Sequence, residues 1–302
     1  MTRFPHDQFA KDYLKELLAP LGEVQAPRSV PGEIREIDVW FAPLPQPALD
    51  PQVLGILGRL AASPCLLEPF RNPPTPTEIR SCLLKLFELH GEFQRQARRD
   101  EQRLQEADLP RLWILSPTAS GPLLDGFRAI VDEENWMRGI YFLADYLRAA
   151  VVVIHQLPRT PETLWLRILG KGTVQKQAIS ELASLRDNHP LRANALLLLT
   201  NLQASLQTSE DLDEEEQELI MELSPLVVQW REEALREGEI RGIQQERRQV
   251  VENLLRFRFG SLDEQLLAII EPLLELPPEE FTRLLLQLSR EELLTRFGEP
   301  NL

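Results

Sequence analysis

The chain has 302 residues, of which 43% are hydrophobic and 26% are charged, as in an ordinary globular protein with a sizeable core. No apolar run approaches the ~18 residues that a membrane span needs. The N-terminus also lacks the pattern of a signal peptide, so we expect a cytoplasmic protein without a membrane partner. Two cysteines are too few for a disulfide framework or a zinc site.

The net charge of −14 belongs almost entirely to the last third of the chain. Residues 1–200 carry 23 basic and 24 acidic side chains, whereas residues 201–302 carry 10 and 23. A near-neutral region can contain a local basic groove, while the acidic last third would repel phosphates. Whole-chain charge is therefore only a weak argument against DNA binding.

Hydrophobic periodicity predicts an α/β domain in the first part of the chain. Residues 111–116 and 149–158 contain nearly continuous apolar runs, typical of central strands that are buried on both faces. The helix at 76–100 has the clearest start, because Thr75 and Glu78 have the spacing of a capping box. In chain order we predict a helix at 7–19, an antiparallel pair at 23–42 around a Pro31-Gly32 turn, a short helix at 51–62, a strand at 65–71 broken by Pro69, a helix at 76–100, a strand at 111–116, a hairpin formed by 139–143 and 149–158, and a helix from Thr160.

After Gly170 the pattern predicts helices only. Residues 210–255 are charge-dense and mostly helical, with an interruption expected at Pro225. Their acidic stretch EDLDEEEQEL is typical of a solvated helix face. The end of the chain predicts two or three short amphipathic helices, with capping-box spacing at Ser261/Glu264 and Ser289/Glu292. The predicted regions are an α/β domain at 1–200, an acidic helical linker at 201–250 and a small helical domain at 251–302.

Asp38 is the most informative single residue, because it lies in a strand pattern although strands disfavour aspartate. It shares the predicted strand face with Ile34 and Trp40. The pattern leaves two interpretations open: an inward-pointing charge that prevents edge-to-edge pairing, or half of a metal site. Glu68 follows thirty residues later and would meet Asp38 if their strands were neighbours.

A pair of carboxylates would suit Mg²⁺, which prefers oxygen ligands and keeps several of its waters. Such an ion can activate a water for attack on a phosphodiester. Glu16, on the first helix, could add a third carboxylate, although a glutamate in so charged a helix is most simply solvated. Glu68 precedes Pro69, which also suits a plain structural role at a strand end.

Other chemistry is less well supported. None of the four histidines is spaced with another as a metal pair, and there is no GxSxG motif. His90 lies on an apolar helix face, as a core histidine would, while His155 near a strand end could be structural or could face a site. The segment LGKGT at 169–173 fails the P-loop spacing and favours a helix-to-helix turn over an anion site. The run RQARR at 95–99 is either a phosphate-contacting patch or a surface helix end.

Five segments carry a resemblance to a known family: FPHDQFAKDYLKELL, REIDVWF, LLEPFRNPPTPTEIRSCLLKLF, LWILSPTAS and VVVIHQLPRTPETLWLRILGKG. They resemble a cyanobacterial family of Rpn/YhgA-like transposases, which is related to the recombination-promoting nucleases of the PD-(D/E)XK superfamily. The C-terminal segment from VVENLLRFRFG onward is similar to a small helical domain of unknown function that commonly follows this domain.

The resemblance implies a restriction-endonuclease-like mixed sheet flanked by helices, with an all-α C-terminal extension. It implies that Asp38 and Glu68 are the motif acids that hold a catalytic Mg²⁺. The superfamily normally has a lysine two residues after the glutamate, where this chain has Phe70 followed by Arg71. A lysine can migrate to the next helix in such folds, and Lys85 is the nearest candidate.

Two functions from different classes therefore remain open. One is a Mg²⁺-dependent DNA endonuclease associated with mobile elements. The other is a nuclease-like fold that has lost catalysis and acts as a binding or assembly module, as Phe70 at the lysine position would suggest. A weaker third interpretation makes the C-terminal helices an arm for homo-oligomer formation.

Overall fold

The chain divides into two compact units, Met1–Val227 and Val228–Leu302. A seven-stranded mixed sheet forms the centre of the first unit. The computed structural model describes residues 5–30, 35–209 and 212–298. The division at residue 227 lies inside the segment that we predicted as an acidic linker. The chain is therefore an α/β protein with a helical C-terminal region.

The sheet combines parallel strands at its centre with antiparallel strands at both sides. The strands are β1 (Gly22–Gln25), β2 (Arg28–Val30), β3 (Arg35–Ile37), β4 (Val39–Pro43), β5 (Cys65–Pro69), β6 (Arg111–Ser116), β7 (Ile130–Val131), β8 (Ile140–Phe142) and β9 (Ala149–Val153). The order in the sheet is β1-β4-β5-β6-β9-β8-β7, in which β5/β6 and β6/β9 are parallel, whereas β2 and β3 form a separate antiparallel pair. The central strands are buried along most of their length, as their continuous apolar runs predicted.

Helices flank this sheet and continue as far as Phe297. The predicted capping box of Thr75 and Glu78 is confirmed at the start of the third helix, which makes the crossover between the parallel strands β5 and β6. None of the helices among the described residues is long and apolar enough to cross a membrane. The helices are α1 (Pro5–Leu18), α2 (Ile56–Leu60), α3 (Pro76–Arg99), α4 (Gly121–Gly126), α5 (Leu164–Arg167), α6 (Gly172–Ala183), α7 (Arg192–Gln207), α8 (Glu214–Phe259), α9 (Glu264–Ala268), α10 (Ile270–Leu274), α11 (Pro278–Gln287) and α12 (Arg290–Phe297).

The predicted antiparallel pair at 23–42 is present but is interrupted at Asp38, which lies in a bend between β3 and β4. The two halves of the pair share one register, in which Gln25 faces Trp40 and Arg28 faces Ile37. That register sets Asp38 opposite Pro27. Because proline has no amide hydrogen to donate to the ladder, the pairing breaks there. The predicted Pro31-Gly32 turn and Ile34 lie outside the described residues.

Two expectations for the helical region are corrected by the structure. Helix α8 continues through Pro225 instead of ending there, because a helix can accept a proline by giving up one backbone hydrogen bond. The helix that follows is capped by Asp263, which accepts a hydrogen bond from the amide of Leu266, so the predicted Ser261/Glu264 box is wrong. The box at Ser289/Glu292 is confirmed.

The second unit has its own apolar core, formed where the last part of α8 meets α9 to α12. Leu255, Ile269 and Leu285 are each fully buried in it. Four short helices follow α8 in the described residues, whereas the sequence pattern predicted two or three.

Candidate metal-binding and catalytic site

Asp38 and Glu68 are brought together by the register of β4 and β5. Val39 faces Leu67, and Trp40 faces Leu66, so continuing the ladder by one residue sets Asp38 opposite Glu68. The amide of Asp38, released from regular strand pairing, lies 3.4 Å from Glu68 Oε1 and donates a long hydrogen bond to it. The two strands are neighbours, which is the condition that the sequence analysis had left open, and Asp38 contacts Glu68 through its amide.

Glu68 is buried, although a glutamate with an ordinary pKa is charged at neutral pH. It lies near the C-terminal end of β5, its exposed fraction is 1%, and its side chain extends toward α3. Leu66, two residues earlier on the same strand face, belongs to the apolar cluster that includes Ile79 and Cys82 of α3. The glutamate thus continues an apolar strand face, which explains why its carboxylate needs polar partners.

Lys85 supplies the main partner for Glu68. Its ammonium nitrogen lies 2.7 Å from Glu68 Oε2, and the lysine side chain is 15% exposed. Cys82, one helical turn earlier on α3, places its sulfur 3.8 Å from the same oxygen. Lys85, a candidate site residue of the sequence analysis, is therefore in direct contact with the buried glutamate.

Lys11 of α1 is the second basic residue at the site. Its ammonium nitrogen lies 2.9 Å from Asp38 Oδ1 and 2.9 Å from Asp7 Oδ2, one helical turn before it. The Asp38 side chain remains 21% exposed, so this part of the site opens toward solvent. Asp38, Glu68, Lys11 and Lys85 are called the acid–lysine cluster below.

Burial sets the protonation behaviour of this cluster. Desolvation, reinforced by the charge of Asp38, raises the pKa of Glu68 to about 7, while Lys85 acts in the opposite direction. Burial alone would lower the pKa of Lys85, but the attraction of Glu68 and Asp38 raises it overall. Lys85 therefore stays positively charged at neutral pH, while Glu68 titrates in a range where enzymes use acids and bases.

Three other residues from the sequence analysis lie away from this contact. Arg71 directs its guanidinium to the carbonyl of Gly170 and the side chain of Gln175, at 3.2 and 3.3 Å. Phe70 packs against the apolar cluster between the sheet and α3. Glu16 accepts a hydrogen bond from Asn194, so the structure does not bring it to Asp38 and Glu68.

The donor set of the cluster consists of two carboxylates with two lysines. No group of three or more histidine, cysteine, aspartate or glutamate side chains with metal-binding geometry occurs among the described residues. Mg²⁺ can be held by one or two carboxylates together with waters and substrate phosphates. Lys11 and Lys85 each contact one oxygen of their carboxylate, and a carboxylate has several lone pairs, so the donor chemistry fits a hard divalent cation.

The sequence analysis missed Lys11 and Cys82. Both lie on helices that the sequence predicted, Lys11 partly exposed on the first helix and Cys82 buried in the apolar cluster under the third. No local pattern marked either residue, because their contacts with Asp38 and Glu68 depend on how the helices pack on the sheet. His90 was read correctly as a core histidine, since its Nε2 lies 2.8 Å from the carbonyl of Pro110. His155 accepts a hydrogen bond from the amide of Lys171 and so supports the turn before α6.

Comparison of the chain with protein-family models, with curated proteins and with solved structures found no match.

Proposed function

We propose that this protein is a divalent-cation-dependent DNA endonuclease whose active site is the acid–lysine cluster. The observation that carries the proposal is the meeting of three predicted site residues: Asp38 donates its amide to Glu68, and Lys85 lies 2.7 Å from the other oxygen of Glu68. A buried acid beside a fixed cation, with a second carboxylate open to solvent, is an arrangement suited to phosphodiester hydrolysis.

In this proposal Asp38 and Glu68 hold Mg²⁺. When bound, the ion would supply a Lewis acid for a phosphoryl oxygen and would make a bound water more acidic. Lys85 places a permanent positive charge beside Glu68, where it can stabilise the negative charge that develops on the phosphate. Lys11 orients Asp38 through its contact with Oδ1.

The order of elements supports the same proposal at the level of the fold. A first helix, an antiparallel strand pair, a third strand antiparallel to it, a crossover helix and a parallel strand correspond to α1, β1/β4, β5, α3 and β6. This is the order expected for a restriction-endonuclease-like core. Membership of the Rpn/YhgA-like family is part of the same proposal. Lys85 on the crossover helix would replace the lysine that Phe70 displaces.

Cleavage of supercoiled plasmid with and without Mg²⁺ tests the proposal. We expect Mg²⁺-dependent nicking that is lost in Asp38→Asn and Glu68→Gln and is reduced at least about a hundredfold in Lys85→Gln, the scale of removing one charge-stabilising group. Glu16→Gln is the matched control, because it neutralises a carboxylate outside the cluster and should cleave like the wild type. Nicking that survives Asp38→Asn would refute the assignment.

A second function is favoured by one specific observation, the internal charge balance of the cluster. Each carboxylate already has a lysine within 3 Å, at 2.9 Å for Asp38 and 2.7 Å for Glu68. Such a closed set of ion pairs could serve a nuclease-like fold that binds or assembles without catalysis. Calorimetric titration with Mn²⁺ distinguishes the two: binding that Asp38→Asn abolishes supports the nuclease, and absence of binding supports the non-catalytic module.

A further inference from the structure

A basic surface lies at the same edge of the sheet as the acid–lysine cluster. Arg71 follows Glu68 by three residues, and its guanidinium bonds to Gly170 and Gln175 at the beginning of α6. Lys171 donates to Asn72 Oδ1 at 3.1 Å, and Lys176 follows on the first turns of α6. Arg71, Lys171 and Lys176 are called the basic surface below.

The acidic turn, residues 213–218 around the start of α8, covers this basic surface. Lys171 Nζ lies 3.0 Å from Glu215 Oε2, and Lys176 forms an ion pair with Glu218. Glu216 Oε1 lies 3.2 Å from His6 Nε2, and its charge, like that of Glu215, acts on Arg71. Two carboxylates near the start of α8, those of Glu215 and Glu218, thus pair with the lysines that border the proposed active site.

Stability does not explain these ion pairs. The side chains of Glu215 and Glu218 remain 50% and 58% exposed, and ion pairs at such exposure contribute little to folding. The helix is held by other contacts: Leu219 and Leu223 are 2% and 1% exposed, and Gln203 donates to the carbonyl of Ile220. The start of α8 would therefore stay docked without its acidic side chains.

We propose that the basic surface binds the phosphates of the nucleic-acid substrate and that the acidic turn is a built-in competitor for it. The proposal rests on the proposed function, because it takes DNA as the polyanion. Carboxylates paired with lysines occupy the positions that backbone phosphates would take. DNA must then displace Glu215 and Glu218 before Lys171 and Lys176 can contact its backbone, which lowers its apparent affinity.

Fluorescence anisotropy of a labelled DNA duplex, measured without divalent cation, tests this proposal. The variant Glu215→Gln/Glu216→Gln/Glu218→Gln should bind about tenfold more tightly than the wild type, because phosphate contacts dominate affinity. A matched control removes the same three charges elsewhere: Glu275→Gln/Glu279→Gln/Glu291→Gln should change affinity less than about threefold. Adding Lys171→Gln and Lys176→Gln to the first variant should abolish its gain.

Equal gains in the two triple variants would show a general effect of net charge and would overturn the proposal. The single variants Glu215→Gln and Glu218→Gln provide a check that does not depend on the triple variant folding, since each should give part of the gain.

The outcomes separate this inference from the proposed function. Tighter binding by the neutralised turn without Mg²⁺-dependent cleavage would support the basic surface and refute the nuclease. Mg²⁺-dependent plasmid cleavage by the wild type, together with unchanged DNA affinity of the triple variant, would support the nuclease and refute the competition by the acidic turn.

Discussion

Replacing Lys85 with methionine should make the stability of the first unit depend on pH in a way that reports on Glu68. Methionine keeps much of the aliphatic length but removes the charge 2.7 Å from Glu68 Oε2. The pKa of Glu68 is already raised from 4.5 to about 7 by burial. Without the opposing charge of Lys85 it should rise further, so native Lys85→Met should keep a proton on Glu68 above pH 7.

The expected size follows from proton linkage. Above about pH 7 the native wild type and both unfolded chains have released the Glu68 proton, whereas the native variant has not. The unfolding free energy of the variant should therefore fall relative to the wild type by about 1.4 kcal/mol per pH unit until Glu68 ionises in the variant. Between pH 7 and 8.5 this amounts to roughly 2 kcal/mol. Lys85 itself contributes no slope, since its pKa is raised above its ordinary value of 10.5.

Urea unfolding followed by tryptophan fluorescence at pH 5.5, 7 and 8.5 measures this difference. Near pH 5.5 Glu68 is protonated in both native states, so wild type and variant should differ little. Lys15→Met on the exposed side of α1 should follow the wild type at every pH, and Glu68→Gln/Lys85→Met should lose the pH dependence. A difference between Lys85→Met and wild type that stays constant from pH 5.5 to 8.5 would refute the account of Glu68.

Two further predictions concern stability, and both use pairs of variants. Arg167 and Arg159 share the carboxylate of Glu181, but their exposed fractions are 3% and 62%. We expect Arg167→Ala to cost about 3 kcal/mol and Arg159→Ala below about 1 kcal/mol in urea unfolding, because only the first leaves buried partners unsatisfied. Similar costs would show that burial is not the cause. The hydroxyl oxygen of Thr75 accepts a hydrogen bond from the amide of Glu78 at the start of α3. Thr75→Ala should cost about 1 kcal/mol, and Thr77→Ala, outside the cap, should cost clearly less; equal losses in the two threonine variants would argue against the cap.

The sequence was most informative where one local rule decided the outcome. Continuous apolar runs were sufficient to identify β6 and β9 as buried strands, and the Thr75/Glu78 spacing identified the start of α3. In contrast, the break at Asp38 depends on the register that sets it opposite Pro27, which no local pattern reveals. The contact between Lys85 and Glu68 likewise depends on how the crossover helix packs on the sheet.

The acidic stretch shows a different limit of sequence reading. Its composition predicted a solvated helix face, and Glu215 and Glu218 are indeed half exposed. Their pairing with Lys171 and Lys176 could not be predicted, because it joins segments about forty residues apart through tertiary packing within the first unit. Exposure and partnership are separate properties, and only the first can be read from composition.

Arg71 has a consequence for the energetics of the whole site. It is joined to β5 through the chain and to α6 through Gly170 and Gln175, three residues from the buried glutamate. A ligand that accepts hydrogen bonds from the guanidinium of Arg71 must compete with the oxygens of Gly170 and Gln175. Binding of such a ligand would therefore weaken the contacts that hold the chain after β5 to α6. Occupancy at Arg71 and the position of Glu68 are then coupled by a free energy that acts equally in both directions. If a ligand at Arg71 changes the affinity of Glu68 for a cation by some factor, the cation changes the affinity of Arg71 for that ligand by the same factor.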